Sequence, residues 1–217
     1  MLYKFVLICC FLLFPILNMS LPAYDTAITP YSPPEEEKKN HVPIQEMACN
    51  ILQQAIDLIQ TLEDEQYTQA SKVMFGGTIG KHIRHVSDHF NLLFKQCQPT
   101  TASSDWVVDY DLRARNNPSE TNRSIAIQNI EQLKSIIKEN DHILLGQQLT
   151  LQATIDAADD NKYRFSSSFG RELFYSCIHA IHHYASIKAI CIEQNISTPQ
   201  DFGIAPSTLH DQESNDK

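Results

Sequence analysis

Six of the nine histidines in this 217-residue chain fall in two short windows. The windows read IGKHIRHVSDHF and RELFYSCIHAIHHYASIK, and their histidines are His82, His85 and His89, then His179, His182 and His183. An α-helix turns about 100° per residue, so residues three or four apart share one face. Two helices with these faces opposed would gather imidazoles around one point. Because imidazole suits divalent transition metals, the spacing predicts a metal site.

In the second window, His179 and His183 lie one helical turn apart, so both rings could reach one cation at ~2.0–2.1 Å. His182 lies three positions after His179 and could replace His183 on a slightly rotated face. Glu172 precedes His179 by seven residues and therefore lies only about 20° off the same stripe. It could orient a ligand or act as a base.

In the first window, His85 is central, where a helix holds a ligand more rigidly than near its ends. His82 and His89 lie one turn before and after it, within reach of a supporting role. Asp88 could accept an imidazole N–H and so fix the tautomer of a ligand. The alternative is that these histidines are merely packed, because a lone histidine on an apolar helix face is more often a hydrogen-bonded residue than a ligand.

Cysteine ligation is disfavoured by helical angle. Cys177 lies two residues before His179 and points to the far side of its helix, and Cys97 is ~120° from His85. The predicted site is therefore nitrogen-rich, with at most three protein ligands and an open position, which favours catalysis over a structural role. No cysteine outside the first residues forms a CxxC pair, so buried free thiols are predicted for Cys49, Cys97, Cys177 and Cys191.

The elements that position these residues are predicted as four helices, each apolar on one face, as a water-soluble bundle requires. They lie near residues 44–66, 78–96, 120–140 and 169–194, with Ser119 as the predicted N-cap of the third. Residues 142–155 alternate weakly and could form short strands. The predicted fold class is all-α, a four-helix bundle with long crossover loops.

The segments outside the bundle differ from it in composition. Residues 1–23 are predicted to be a signal peptide, with an uncleaved anchor as the alternative, because the apolar run is shorter than a membrane span. Residues 24–43 are predicted to be a disordered linker, 44–196 the bundle and 197–217 a flexible tail. A true signal would place the protein in the secreted or endomembrane compartment; otherwise it would be cytoplasmic. The net charge of −9, without a basic cluster, disfavours nucleic-acid binding.

Three segments together resemble the DinB/YfiT-like family of metalloenzymes. The matching residues are IGKHIRHVSDHF, VDYDLRARNNPSE and RELFYSCIHAIHHYASIK, and the resemblance spans residues 44–194. It implies a four-helix bundle with a divalent cation, Zn²⁺, Ni²⁺ or Fe²⁺, held by His85, His179 and His183. His82 matches a further histidine that neighbours this site. The polar loop matches through Tyr110, Arg113, Arg115 and Glu120.

The function that this resemblance implies is that of a metal-dependent enzyme, with thiol S-transfer to or from a small molecule favoured over hydrolysis. Glu172 or His82 would carry a proton, and Arg113 or Arg115 would hold an anionic group of the substrate. The alternative is a non-catalytic bundle that binds a metal or small ligand. No nucleic-acid partner and no membrane domain beyond the leader are expected, and homodimerisation is left open. His89 and the leader depart from what the family leads us to expect.

Overall fold

The computed structural model describes residues 43–97, 106–112, 117–158 and 161–215. The predicted leader, the predicted linker up to residue 42, and both Arg113 and Arg115 lie outside the described residues. The described residues belong to one unit, residues 42–217.

Helices form where the 3.6-residue apolar period runs longest. They are α1 (Ile44–Thr61), α2 (Asp64–Thr68), α3 (Ile79–Gln96), α4 (Arg123–Glu139), α5 (Phe169–Glu193) and α6 (Pro206–Asn215). The first predicted helix is divided in two, because Leu62 is extended and Glu63 begins α2 with a capping box. Within the described part of the chain, no helix is both long and apolar enough to cross a bilayer.

Side-chain caps fix where the site-bearing helices begin. The oxygens of Thr78 and Ser168 accept backbone N–H groups in the first turns of α3 and α5. The prediction that Ser119 caps the third long helix is wrong. Asn122 caps α4, and Ser119 lies in a 3₁₀ turn formed by Pro118–Glu120, where proline favours a tight turn rather than the extended backbone of a cap.

A three-stranded mixed sheet makes the all-α prediction wrong. The strands are β1 (Val107–Asp109), β2 (Gln148–Ala153) and β3 (Tyr163–Ser168), in the order β1-β2-β3. β1 pairs with β2 in parallel, with Val107 opposite Thr150, and β2 pairs with β3 antiparallel, with Leu151 opposite Phe165. The two-residue alternation of QLTLQA and the aromatic residues of YRFSSS favour extended backbone over a helix.

The four long helices share one apolar core, in which α1 and α3 each pack against both α4 and α5. The sheet adjoins this core through β1 on α3, and β3 runs directly into α5. Packing α3 against α5 brings the two histidine windows together. This single helix pair therefore positions the candidate site.

The segment predicted as a flexible tail contains ordered contacts. Phe202 is buried, and its ring stacks on that of Tyr184 with centroids 4.9 Å apart. Gly203 has a φ of +73°, and a Cβ there would meet the backbone nitrogen of Ala185 at 2.5 Å. Glycine at this position lets the turn approach α5 closely before α6 begins.

Candidate metal centre

Three of the histidines predicted as ligands converge between α3 and α5. His85, His179 and His183 each offer one ring nitrogen, and these three atoms lie within 4.8 Å of one another. The Nε2 atoms of His85 and His179 are 3.0 Å apart. The ring of His183 lies 4.5 Å from that of His85 and 4.6 Å from that of His179, measured between centroids.

The donor set fits a divalent cation. Zinc–nitrogen bonds of ~2.0–2.1 Å in a tetrahedral site require nitrogens about 3.3 Å apart, which is within the spread of these three atoms. A ligand nitrogen must also be unprotonated. Burial, with a smaller contribution from neighbouring histidines, lowers the pKa of His179 to about 4 and that of His183 to about 3. Both rings are therefore neutral at pH 7, with lone pairs available.

His82 lies beside this triad rather than within it. Its Nδ1 is 2.8 Å from Nδ1 of His183, and the ring centroids are 5.1 Å apart. Burial lowers the pKa of His82 as well. The sequence placed His82 next to the site because it lies one helical turn before His85. In the structure, His82 has His183 as its hydrogen-bond partner.

His89 lies closer to the triad than the supporting position that the sequence analysis gave it. His89 is buried, and its ring centroid lies 4.1 Å from that of His179. Its ring stacks on Tyr110 at 4.9 Å, and Tyr175 stacks on His179 at 5.4 Å. These rings form an aromatic wall, consisting of His89, Tyr110 and Tyr175, along one side of the triad. Tyr110 comes from the loop after β1, so helical spacing alone could not reveal the wall.

Glu172 is fully buried and connects to this wall rather than to the triad directly. Its carboxylate accepts hydrogen bonds from the hydroxyl of Ser167 at 2.5 Å, from that of Tyr110 at 3.1 Å and from the guanidinium of Arg171 at 2.9 Å. The predicted role of Glu172 as a proton carrier remains a prediction. Its partners show that it fixes Tyr110 against His89.

The polar residues near the first window are arranged differently from the prediction. Asp88 does not accept an imidazole N–H in any contact that the described residues show. It pairs with Arg84 at 2.8 Å, and Arg84 also reaches Glu120 at 2.9 Å. The ion pair between Arg84 and Glu120 joins α3 to the 3₁₀ turn.

His182 is exposed and lies outside the triad. All four described cysteines are buried, and no disulfide joins them in the described part of the chain.

Comparison with known proteins gives one informative relative. No family model matches the chain, and no solved structure matches it. FK506-binding protein 5 of Rhizopus delemar is 48% identical over 166 residues, which is 76% of this chain and 37% of that protein. The chain therefore spans a little more than a third of the relative's length.

The aligned relative is named as an FK506-binding protein and not as a DinB/YfiT-like metalloenzyme. The predicted DinB/YfiT-like family is wrong. The predicted thiol S-transferase is wrong as well, and the two alternatives, a metal-dependent hydrolase and a non-catalytic metal- or ligand-binding bundle, are not supported by this relative either. The histidine geometry is independent of that family assignment, because it rests on measured distances.

Proposed function

We propose that this chain contributes to a function of the peptidyl-prolyl isomerase or chaperone type, with an unfolded or proline-containing polypeptide as its partner. The observation that carries the proposal is the 48% identity to an FK506-binding protein over 76% of the chain. The aligned residues make up 37% of that relative, so its name describes a larger protein. The experiment must therefore measure what this chain does by itself.

The outer edge of β3 supports contact with a polypeptide. The backbone N–H of Phe169 donates to the carbonyl oxygen of Gln147. In an antiparallel pair, every second residue of a strand bonds to the neighbouring strand, and the residues between them direct their backbone N–H and C=O groups to the other side. Counting back from Phe169, Arg164 and Ser166 are the residues whose backbone groups point away from β2. Among the described strands, none pairs with this side of β3. Tyr163 and Phe165 are both close to half exposed there. Such an edge can add an extended segment as a further strand.

The test uses the full chain in two assays. In the first, it is added to a substrate protein whose refolding is limited by proline isomerisation, with FK506 as a competing probe. In the second, it is added to an unfolding substrate whose aggregation is followed by light scattering. We expect faster refolding or suppressed aggregation. An unchanged refolding rate together with unchanged aggregation would overturn the proposal.

A pair of variants tests whether the edge of β3 takes part. Ser166→Pro removes one outward N–H and leaves the bonds to β2 intact, so we expect it to weaken the effect on the polypeptide. Ser166→Ala keeps the N–H and is the matched control. Equal activity of both variants and the wild type would exclude the edge as the point of contact.

We also propose that His85, His179 and His183 bind one divalent cation, Zn²⁺, Ni²⁺ or Fe²⁺, as a cofactor. The support is the convergence of three ring nitrogens within 4.8 Å, two of them on rings whose pKa is lowered by burial. Three protein ligands would leave at least one coordination position of the cation open. The chain's own contribution is to hold the three imidazoles on two packed helices.

Metal analysis and Zn²⁺ calorimetry test this second proposal. We expect one cation per wild-type chain and a loss of at least 100-fold in affinity for His85→Ala, because one of three ligands is gone. His182→Ala is the control, since His182 is exposed on the same helix as two ligands and should leave the affinity unchanged. Absence of stoichiometric Zn²⁺ uptake by the wild type would exclude the site without affecting the refolding assays.

A further inference from the structure

The contact between His82 and His183 restricts how each ring carries its proton. Their Nδ1 atoms are 2.8 Å apart, which is hydrogen-bond distance. A neutral imidazole has one N–H donor and one acceptor nitrogen. One of the two rings must therefore be protonated on Nδ1, and the other on Nε2.

Only one of the two arrangements is compatible with cation binding. If His82 donated to His183, the remaining proton of His183 would lie on Nε2, and neither nitrogen of that ring would have a free lone pair. If His183 donates to His82, Nε2 of His183 keeps its lone pair. The hydrogen bond thus decides whether His183 can act as a ligand.

We propose that His82 is a positioning residue for the cation site. It accepts the Nδ1–H of His183 and so presents Nε2 of His183 to the cation. This inference rests on the proposed binding of a cation by His85, His179 and His183. Partners that accept the second N–H of a ligating histidine fix its tautomer and orientation, and their loss typically costs 10- to 100-fold in metal affinity.

The surroundings of His82 hold its ring in the accepting position. Its backbone N–H donates to Thr78, the residue that caps α3. The other edge of the ring faces Gly77, where an added Cβ would lie 3.1 Å from Nε2 of His82. The turn that contains Gly77 is closed by a 2.9 Å bond from Ser71, whose hydroxyl in turn donates to Glu193 on α5 at 2.6 Å. The ring of His82 therefore lies between Gly77 at its Nε2 edge and the ring of His183 at its Nδ1 edge.

Two substitutions separate hydrogen bonding from simple packing. His82→Gln keeps an acceptor oxygen on a flexible side chain, whereas His82→Leu has a similar volume and no acceptor. Zn²⁺ affinity is measured by calorimetry, and the ligand field is followed by the absorption spectrum of bound Co²⁺. Unfolding of the metal-free variants in urea reports on packing alone.

We expect His82→Leu to weaken Zn²⁺ binding by 10- to 100-fold and to change the Co²⁺ spectrum, with His82→Gln restoring most of the affinity. Wild-type affinity in His82→Leu, or equal losses in both variants, would overturn the positioning role. Failure of the cation site itself is recognised separately, because the wild type would then take up no Zn²⁺.

Discussion

The Nε2 atoms of His85 and His179 lie 3.0 Å apart, although 94 positions separate the two residues in the chain. This is hydrogen-bond distance, at which one ring can donate a proton to the nitrogen of the other. A tetrahedral cation would need the same atoms about 3.3 Å apart, so it could replace the proton with little movement of either helix. The packing of α3 on α5 thus sets the dimensions of the site before any ligand is present.

Stability of the metal-free protein should fall on acidification. Burial lowers the pKa of His179 to about 4 and that of His183 to about 3, against an ordinary value near 6.5. The unfolded chain therefore binds more protons between pH 6.5 and these lowered values. The resulting stability is fully present above about pH 6.5 and is lost as the pH falls. We expect the free energy of unfolding in urea, measured with chelator, to decrease from pH 7 to pH 5.

The slope of the free energy of unfolding against pH can be assigned to His179 and His183. Two protons correspond to at most ~2.7 kcal/mol per pH unit. Replacing both rings in a His179→Gln, His183→Gln double variant should flatten the profile, whatever its effect on stability at pH 7. A profile that stays equally steep in the double variant would contradict the assignment.

Much of the helical structure could be predicted, because amphipathic helices leave a 3.6-residue period in the sequence. The same period predicted that His85 lies on the face of one helix and that His179 and His183 share a face of another. The sheet was harder to predict, because β2 and β3 are short and the alternation of β3 is interrupted by three serines. The sheet matters for the site because β3 leads directly into α5, and the hydroxyl of Ser167 at the end of β3 donates to Glu172 in the first turn of α5.

The family prediction failed for a different physical reason. Histidines three or four apart constrain the geometry of a helical site, but any pair of packed helices that holds imidazoles would show the same spacing. The contacts of His89 could not be predicted for a related reason. Its contact with Tyr110 joins a helix to a loop after a strand, and periodicity within one helix carries no information on such a contact.

Gly80 should not tolerate alanine, although alanine is the better helix former. A Cβ at Gly80 would lie 2.1 Å from the backbone oxygen of Glu120 and 2.7 Å from the ring of Tyr67. The gain in helix propensity is ~1 kcal/mol, whereas overpacking typically costs ~1–3 kcal/mol and here involves backbone. We expect Gly80→Ala to lower the free energy of unfolding by about 1–2 kcal/mol in urea denaturation.

Gly146 provides the matched control, because nothing lies within 4 Å of a Cβ built there. Its φ is not in the left-handed range, so Gly146→Ala should be neutral or slightly stabilising through the unfolded state. Equal stability of Gly80→Ala and the wild type would show that α3 can move away from the 3₁₀ turn at little cost.

Glu172→Ala should be strongly destabilising. The carboxylate is fully buried, and its removal leaves the hydroxyls of Ser167 and Tyr110 without their acceptor. Loss of one member of a buried charged network typically costs ~3–5 kcal/mol. Glu172→Gln should cost less, because the amide oxygen can still accept one of these bonds. Glu139→Ala, at an exposed position of α4, is the control and should change stability by less than ~0.5 kcal/mol.

The four described cysteines should react slowly with thiol reagents in the native protein. Burial raises the pKa of Cys97 and Cys177 to about 12 and that of Cys191 to about 11, with Glu172 adding to the effect at Cys97. Burial also raises the pKa of Cys49. The thiolate is the reactive form, so at pH 8 a thiol with a pKa near 12 is ionised in about one molecule in ten thousand.

Labelling with an alkylating reagent, resolved for each cysteine by peptide mass spectrometry, provides the measurement. We expect all four positions to label rapidly in urea and at least 100-fold more slowly in buffer, at rates that follow the unfolding equilibrium. Glutathione labelled in the same tube corrects for reagent loss. Rapid labelling of Cys177 in buffer, with the others protected, would instead require local opening of α5 near His179, and the cation site could not then be rigid.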